Sequence, residues 1–340
     1  MSPELIRLIE SGVKKNIHQY CPSSGHNGLL EQINVLLYNS YQRNINIGDE
    51  LLITAGATQA IFTAIQAIVH PGDEVIILDP SYDCYLAPIQ LSKGVPVRIP
   101  LNKEFLPDWT NIKKHITPKT KLIITNNPHN PSGRVWNEDD MKQLGLLLDE
   151  NPKLHLLSDE VYEYITFEKK HLSAHLYESL RSKSIIISSF GKTLHVTGWK
   201  IGYMVADKSI MDEIKKIHQY MVFSVNSLCQ HVIYEYLKNN SLQNIGSLYQ
   251  KKRDLFRDGL EKSRFNILPC DGTYFQTLDY SKISKKTDLE FAEELTEKYG
   301  VASIPVSVFC EKDKHKNMLR FCFAKQDDTI RKATNLLCKI

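Results

Sequence analysis

Between residues 49 and 205 one phrase repeats: a short aliphatic run, a turn, then a longer stretch with helical spacing. The runs are ELLIT (50–54), EVIIL (74–78), VPVRI (95–99), KLIIT (121–125), KLHLL (153–157) and SIIIS (184–188). Most lack an in–out alternation of polar residues, so they belong to strands covered on both faces, and parallel neighbours need a long crossover between them. The stretch after the first run supplies one, with Ile61, Ile65 and Ile68 at i, i+4 and i+7. The spacing therefore predicts βα units around a largely parallel sheet. The segment Leu51 to Gly72 carries no charge, but Gln59, Thr63 and Gln66 interrupt it and Gly56 divides it. It reads as strand, turn and buried helix rather than as a membrane span.

After residue 208 the texture changes. Ile210, Ile214, Ile217 and Met221 mark one face of a long helix, and a further helix is predicted over 246–262. NIL, TYFQTL and MLRFCF read as short strands, with helices near 287–298 and 327–338. The expected organisation is a large domain over 1–237 and a smaller C-terminal α+β domain over 238–340.

Charge and cysteine usage narrow the function. Lys plus Arg is 42 against 39 for Asp plus Glu, a net of +3 over 340 residues. That is too weak a balance to argue for nucleic acid or an anionic membrane. Cys21, Cys84, Cys229, Cys270, Cys310, Cys322 and Cys338 form no CxxC pair, so a reduced, cytoplasmic protein is expected. The opening MSPELIR has no basic flank followed by an apolar stretch, so no secretory signal is expected. No Gly-x-Gly occurs, and Gly191-Lys192-Thr193 lacks the P-loop's first glycine because Ile186 stands there. His171 and His175 lie at i, i+4 without an HExxH glutamate and are read as surface residues; no metal is expected.

What remains is a set of polar residues at the ends of predicted strands, where open parallel sheets bind ligands. In ITAGATQAIF (53–62) the N–H groups of Ala57 and Thr58 open a helix, either as an anion site or as an ordinary turn. TNNPHNPSGRVW (125–136) is either a Pro-rich turn or a rigid loop presenting Asn130 as a hydrogen-bond donor. LLSDEVYEYI (156–165) places Asp159 after a buried strand, where it either caps a turn or pairs with a cationic ligand nitrogen. Tyr162, three residues on, would be core in most proteins. In IIISSFGKTLHVTGWKIGY (185–203) Lys192 follows an apolar strand, with Ser189 before it and Lys200 after it. It is either a solvated lysine or a partly desolvated amine nucleophile.

Taken in order, GAT, SYDCY (81–85), NPSG, SDEVY, SFGKT with TGWK, and RFCF (320–323) resemble the motifs of the fold-type I pyridoxal-phosphate aminotransferases. HQY at 18–20 and 218–220, GTYF (272–275) and RFCFAK (320–325) make the chain most similar to class I methionine aminotransferases and kynurenine aminotransferase-like enzymes. The resemblance implies an α/β fold, a three-layer sandwich with a mostly parallel sheet plus the smaller C-terminal α+β domain. It also implies pyridoxal 5'-phosphate as cofactor and transfer of an amino group from an amino acid to a 2-oxo acid. Methionine, glutamine, aromatic and kynurenine-like donors are all compatible.

On the same resemblance Lys192 bonds the cofactor aldehyde and shuttles a proton, and Asp159 keeps the ring nitrogen protonated. Asn130 and Tyr162 hydrogen-bond the ring oxygen, with Asn130 also near substrate, and Tyr82 stacks on the ring. Ala57, Thr58, Ser189 and Lys200 hold the phosphate. Tyr20 either reaches the phosphate of a neighbouring subunit, which implies a homodimer, or is ordinary packing. Arg320 either clamps the substrate carboxylate or is a surface arginine at a strand. Family members carry an N-terminal arm ahead of the position matching residue 1, including a pocket-lining segment with Gly and Phe. The resemblance therefore leads us to expect the small domain's usual N-terminal part to be absent, with the cofactor residues intact and side-chain discrimination weakened. The alternatives are a cysteine-conjugate β-lyase and a truncated, low-activity cofactor-binding protein.

Overall fold

Seven strands make the main sheet of the computed structural model, which describes residues 2–311 and 317–340. They are β1 (Leu51–Thr54), β2 (Glu74–Asp79), β3 (Val95–Pro100), β4 (Thr120–Asn126), β5 (His155–Asp159), β6 (Ser184–Ser189) and β7 (Gly202–Ala206). Their order across the sheet is β1-β7-β6-β5-β4-β2-β3. β3, β2, β4, β5 and β6 run parallel, whereas β7 is antiparallel to both β6 and β1. The apolar runs predict the first six strands. β7 is an addition, and its direction follows from chain length. Only residues 190–201 separate it from β6, too few for a helical crossover, so the chain turns back.

Covered faces explain why the runs are so apolar. In β2, Val75 and Ile77 join one core cluster and Ile76 another. The same split separates Leu122 and Ile124 from Ile123, and Ile185 and Ile187 from Ile186. The helix Gly56–Ile68 packs on the first face through Ile61, Ala64 and Ile65. The helix Glu138–Glu150 packs on the opposite face through Met141, Leu144 and Leu148. The helices Asn27–Tyr41 and Ser227–Asn239 cover β1 and β7.

A second, four-stranded antiparallel sheet is formed by β8 (Asn266–Ile267), β9 (Phe275–Asp279), β10 (Ile304–Pro305) and β11 (Met318–Cys322), in the order β10-β11-β9-β8. The helices Ile245–Gly259, Asp288–Tyr299 and Asp327–Leu337 accompany it, close to the predicted spans. Its Leu278, Leu319 and Phe321 belong to the same core cluster as Val75 and Ile77. No helix among the described residues is long and apolar enough to cross a membrane.

Two local expectations need correction. The helix Lys208–Met221 buries Ile210, Met211, Ile214 and His218, while Met221 is 40% exposed. His218 takes the inward place by reaching the Ser23 carbonyl at 3.1 Å. His171 and His175 are buried rather than on the surface. Glu160, at the end of β5, is itself buried and needs a donor, and His171 Nε2 meets its Oε2 at 2.8 Å. His175 Nδ1 lies 2.8 Å from Arg43 Nη1, and burial drives its pKa down to about 3. The residues between are coil and a short 3₁₀ turn at Ala174–Leu176, so the i, i+4 spacing does not mark a helix face.

Candidate active site

The carboxyl ends of β1, β4, β5 and β6 open on one cleft of about 240 Å³. Ten of the residues singled out from the sequence line it: Ala57, Thr58, Tyr82, Asn130, Asp159, Tyr162, Ser189, Lys192, Lys200 and Arg320. The eleventh, Tyr20, stands outside the cleft of its own chain. It is 79% exposed and rests its ring edge-on against Phe223 at 5.3 Å.

One end of the cleft is built for an anion. The helix Gly56–Ile68 starts without a side-chain cap and has no acidic residue in its first turn. Its first N–H groups are the ones a helix leaves unpaired, and they carry the positive end of its dipole. Gly56 adopts φ +74°, and a Cβ there would lie 3.4 Å from Lys200 Nζ, so the ammonium sits beside the helix start. Gly202 on β7 leaves no room either, since a Cβ would meet the Ala57 nitrogen at 3.1 Å and the Ser188 carbonyl at 2.8 Å. A lysine set against a helix N-terminus is a repulsive pair until an anion lies between them.

At the middle, Asp159 ends β5 with Asn126 of β4 as its Cα partner. Its Oδ2 accepts from the Tyr85 hydroxyl at 2.6 Å, and its backbone carbonyl accepts from Asn126 Nδ2 at 3.0 Å. Burial raises the carboxyl to about 6, against the lowering by Tyr85, the Val161 N–H and Lys192. Lys192 is half-buried on the one-turn helix Phe190–Thr193 that follows β6. Its Nζ lies 5.9 Å from the ring centre of Tyr162 and 5.8 Å from that of Tyr274. The rings of Tyr162 and Tyr274 meet edge to face at 5.3 Å.

At the other end, Arg320 projects from β11 between Phe275 and Phe309, whose ring centres lie 4.0 and 4.9 Å from its guanidinium carbon. Its Nη1 donates to Asn130 Oδ1 at 2.6 Å, and Asn130 N in turn donates to Asn126 Oδ1 at 2.7 Å. The expected donor Asn130 thus spends its amide oxygen on Arg320 and keeps its Nδ2 for donation. Arg320 Nε is buried without a hydrogen-bond partner among the described residues, and burial lowers the guanidinium pKa. An unpaired buried donor on a cation is chemically suited to a carboxylate.

Sequence reasoning missed Tyr85, Asn126, Phe275 and Phe309. Tyr85 and Asn126 lie within motifs already quoted, SYDCY and TNNP, but no spacing rule distinguishes a residue behind the wall from one in it. Phe275 lies in the quoted GTYF as well, and Phe309 reaches the site from a segment outside every quoted motif. Among the described residues no cluster of His, Cys, Asp or Glu could hold a metal ion.

The cleft thus offers an anion cradle, a buried carboxylate with no cationic hydrogen-bond partner among the described residues, a primary amine and an open arginine. These match the phosphate, ring nitrogen and aldehyde of pyridoxal phosphate and the carboxylate of an amino acid. Known proteins point the same way. The chain is 40% identical to methionine aminotransferase of Escherichia coli over 96% of its own length and 85% of that relative's. It is 33% identical to kynurenine–oxoglutarate transaminase of Dictyostelium discoideum, covering 99% of this chain and 86% of the other. A crystal structure from Escherichia coli, described as identifying a methionine aminotransferase function, superposes with a TM-score of 0.97 at 39% identity, covering 100% of this chain and 90% of that one. Aspartate aminotransferase of Thermus thermophilus with maleate superposes with a TM-score of 0.89 at 26% identity, over 99% of this chain and 87% of that one. The model of the family "Aminotransferase class I and II" matches residues 2–337. Cleft chemistry and kinship agree, and the chain belongs to the class I and II aminotransferases, enzymes that use pyridoxal phosphate to move an amino group from an amino acid to a 2-oxo acid.

Proposed function

We propose that Lys192 is the amine that bonds the cofactor aldehyde, and that its Nζ carries the proton to and from the substrate's α-carbon. Bound, pyridoxal phosphate supplies an electron sink conjugated to that carbon. Asp159 holds the proton on the ring nitrogen, Tyr82 lies on the ring face, and Asn130 and Tyr162 hold the ring oxygen. The Ala57 and Thr58 N–H groups, Ser189 and Lys200 bind the phosphate. Arg320 clamps the substrate α-carboxylate in a two-pronged geometry, with Asn130 orienting it. The observation that carries this reading is the convergence of Lys192, Asp159, Lys200 and Arg320 on one cleft.

The donor is an amino acid with an uncharged side chain, such as methionine, glutamine, an aromatic amino acid or kynurenine. The names of the relatives support this, and so does the lining, in which Arg320 is the one arginine among the described residues. The working form is a cytoplasmic homodimer in which Tyr20 reaches the phosphate of the partner's site. Domain division at about residue 237 separates the cofactor-binding part from the part carrying Arg320.

The test is spectroscopic. The purified protein with cofactor should develop a visible absorption band that bleaches when methionine, phenylalanine, glutamine or kynurenine is added without acceptor. Borohydride should fix the cofactor to the chain. Lys192→Ala should abolish fixation and turnover, and a Lys192→Ala protein that still fixes cofactor removes Lys192 from this role.

A further inference from the structure

SYDCY contributes more to the cleft than Tyr82. Tyr85 lies on the 3₁₀ turn Asp83–Tyr85, is 2% exposed and does not line the cleft. It touches two residues that do. Its hydroxyl donates to Asp159 Oδ2 at 2.6 Å, and its ring meets that of Tyr82 edge to face at 5.8 Å. The other hydrogen bond to the Asp159 carboxylate, from the Val161 N–H to Oδ1, is long at 3.4 Å. Tyr85 is therefore the one short donor to this carboxylate among the described residues.

We propose that Tyr85 is a positioning residue for the amino transfer, whose hydroxyl acts through Asp159 to keep that carboxylate ionised and in place while its ring fixes the tilt of Tyr82. The proposal rests on the role given to Asp159 above. A phenol that donates to a carboxylate favours the ionised form, because a protonated acid gains less from the same donor. Burial and the neighbouring Asp159 raise the Tyr85 hydroxyl well above its ordinary range, so it remains a donor at every working pH. The other groups facing Asp159 divide. Lys192, from the turn after β6, favours ionisation, whereas Glu160, next along the chain, opposes it. Tyr162 packs close to both Asp159 and Tyr85 and stays protonated through burial.

Tyr85→Phe removes one oxygen and keeps the ring. Cofactor affinity, followed by fluorescence quenching across pH, should fall at the acid end with a midpoint roughly one to two pH units higher than in the parent. In Asp159→Asn the difference in pH midpoint between Tyr85 and Tyr85→Phe should vanish, and adding Tyr85→Phe to it should cost nothing further. A reading independent of cofactor is the melting temperature of the cofactor-free protein. The loss of stability that accompanies Asp159 ionisation should extend to higher pH in Tyr85→Phe. A 3-fluorotyrosine placed at position 85, a more acidic donor of nearly the same size, should move the affinity midpoint down, which keeps the test open if Tyr85→Phe folds poorly. A Tyr85→Phe loss that is equal at every pH and additive with Asp159→Asn overturns the proposal and leaves Tyr85 as packing. A parent protein whose affinity is unchanged by Asp159→Asn overturns instead the role of Asp159, and the proposal with it.

Discussion

Arg320 enters the cleft between two phenyl rings, which fixes the plane of its guanidinium before any ligand arrives. Asn130 takes one prong and Nε stays unpaired, so a carboxylate finds an oriented fork rather than a mobile charge. Arg320→Lys should weaken amino-acid binding by roughly 10- to 100-fold, the value of a charge-assisted hydrogen bond. Cofactor affinity should stay put, and amines without a carboxylate should bind as before; half-reaction titrations separate the cases. Asp159 makes the pH behaviour predictable. Its carboxyl is raised from 3.8 to about 6 in the cofactor-free protein, so the stability it contributes is full below about pH 4 and is lost as pH rises through about 6. A protonated ring nitrogen reverses the preference by pairing with the ionised form. Cofactor affinity should therefore fall as pH drops below about 6 while the cofactor-free protein gains in relative stability over the same window, and dissociation constants with thermal melts across pH 4–8 check both signs. The residues proposed to touch ligand were legible because each lies inside a motif, most of them just after a strand. Tyr85, His171 and Glu160 were not, because a side chain that satisfies another side chain leaves no period in the sequence.

The segment Val306–Phe309 shows how an element is held for function. Arg98 of β3 donates through Nε and Nη2 to Asp79 Oδ1 at 3.0 and 2.8 Å, and through Nη2 to the Phe309 carbonyl at 3.1 Å. Ser81 N reaches the same carbonyl at 2.8 Å, and the Glu311 N–H reaches Asp79 Oδ2 at 3.1 Å. The end of β2 thereby pins the turn that places Phe309 on Arg320. Arg98→Met keeps the aliphatic stem and removes the guanidinium's pins, leaving those of Ser81 and Glu311. It should raise the KM for amino acids several-fold and leave cofactor affinity unchanged, at a stability cost of roughly 1–3 kcal/mol for the donors lost to Asp79. Steady-state kinetics and chemical denaturation read the two effects separately. At this scale the sequence was legible where burial is two-sided: β2, β4 and β6 are unbroken apolar runs because both faces are covered. β7 escaped because its Gly202 is required by the approach of Ala57 rather than by strand propensity, and β10 because two residues carry no pattern.

At the scale of the molecule one core cluster runs from the main sheet into the second, so Arg320 is mounted on the same packed body as Lys192. Tyr20 is the proposed cofactor residue that stands apart from this body's cleft, exposed beside Phe223. Tyr20→Phe keeps the ring contact with Phe223 and removes the hydroxyl. If that hydroxyl serves a partner's phosphate, cofactor affinity should drop roughly tenfold with the sedimentation coefficient of a dimer unchanged. An unchanged affinity would leave Tyr20 as packing. The separation of the cleft's two ends along the chain has a further consequence, for synthesis. Every residue given to the cofactor within one chain lies between Ala57 and Lys200, while the guanidinium that answers Asn130 arrives 190 residues after it. On the ribosome, the residues proposed to hold the phosphate and ring are therefore made long before the arginine proposed to hold the amino acid.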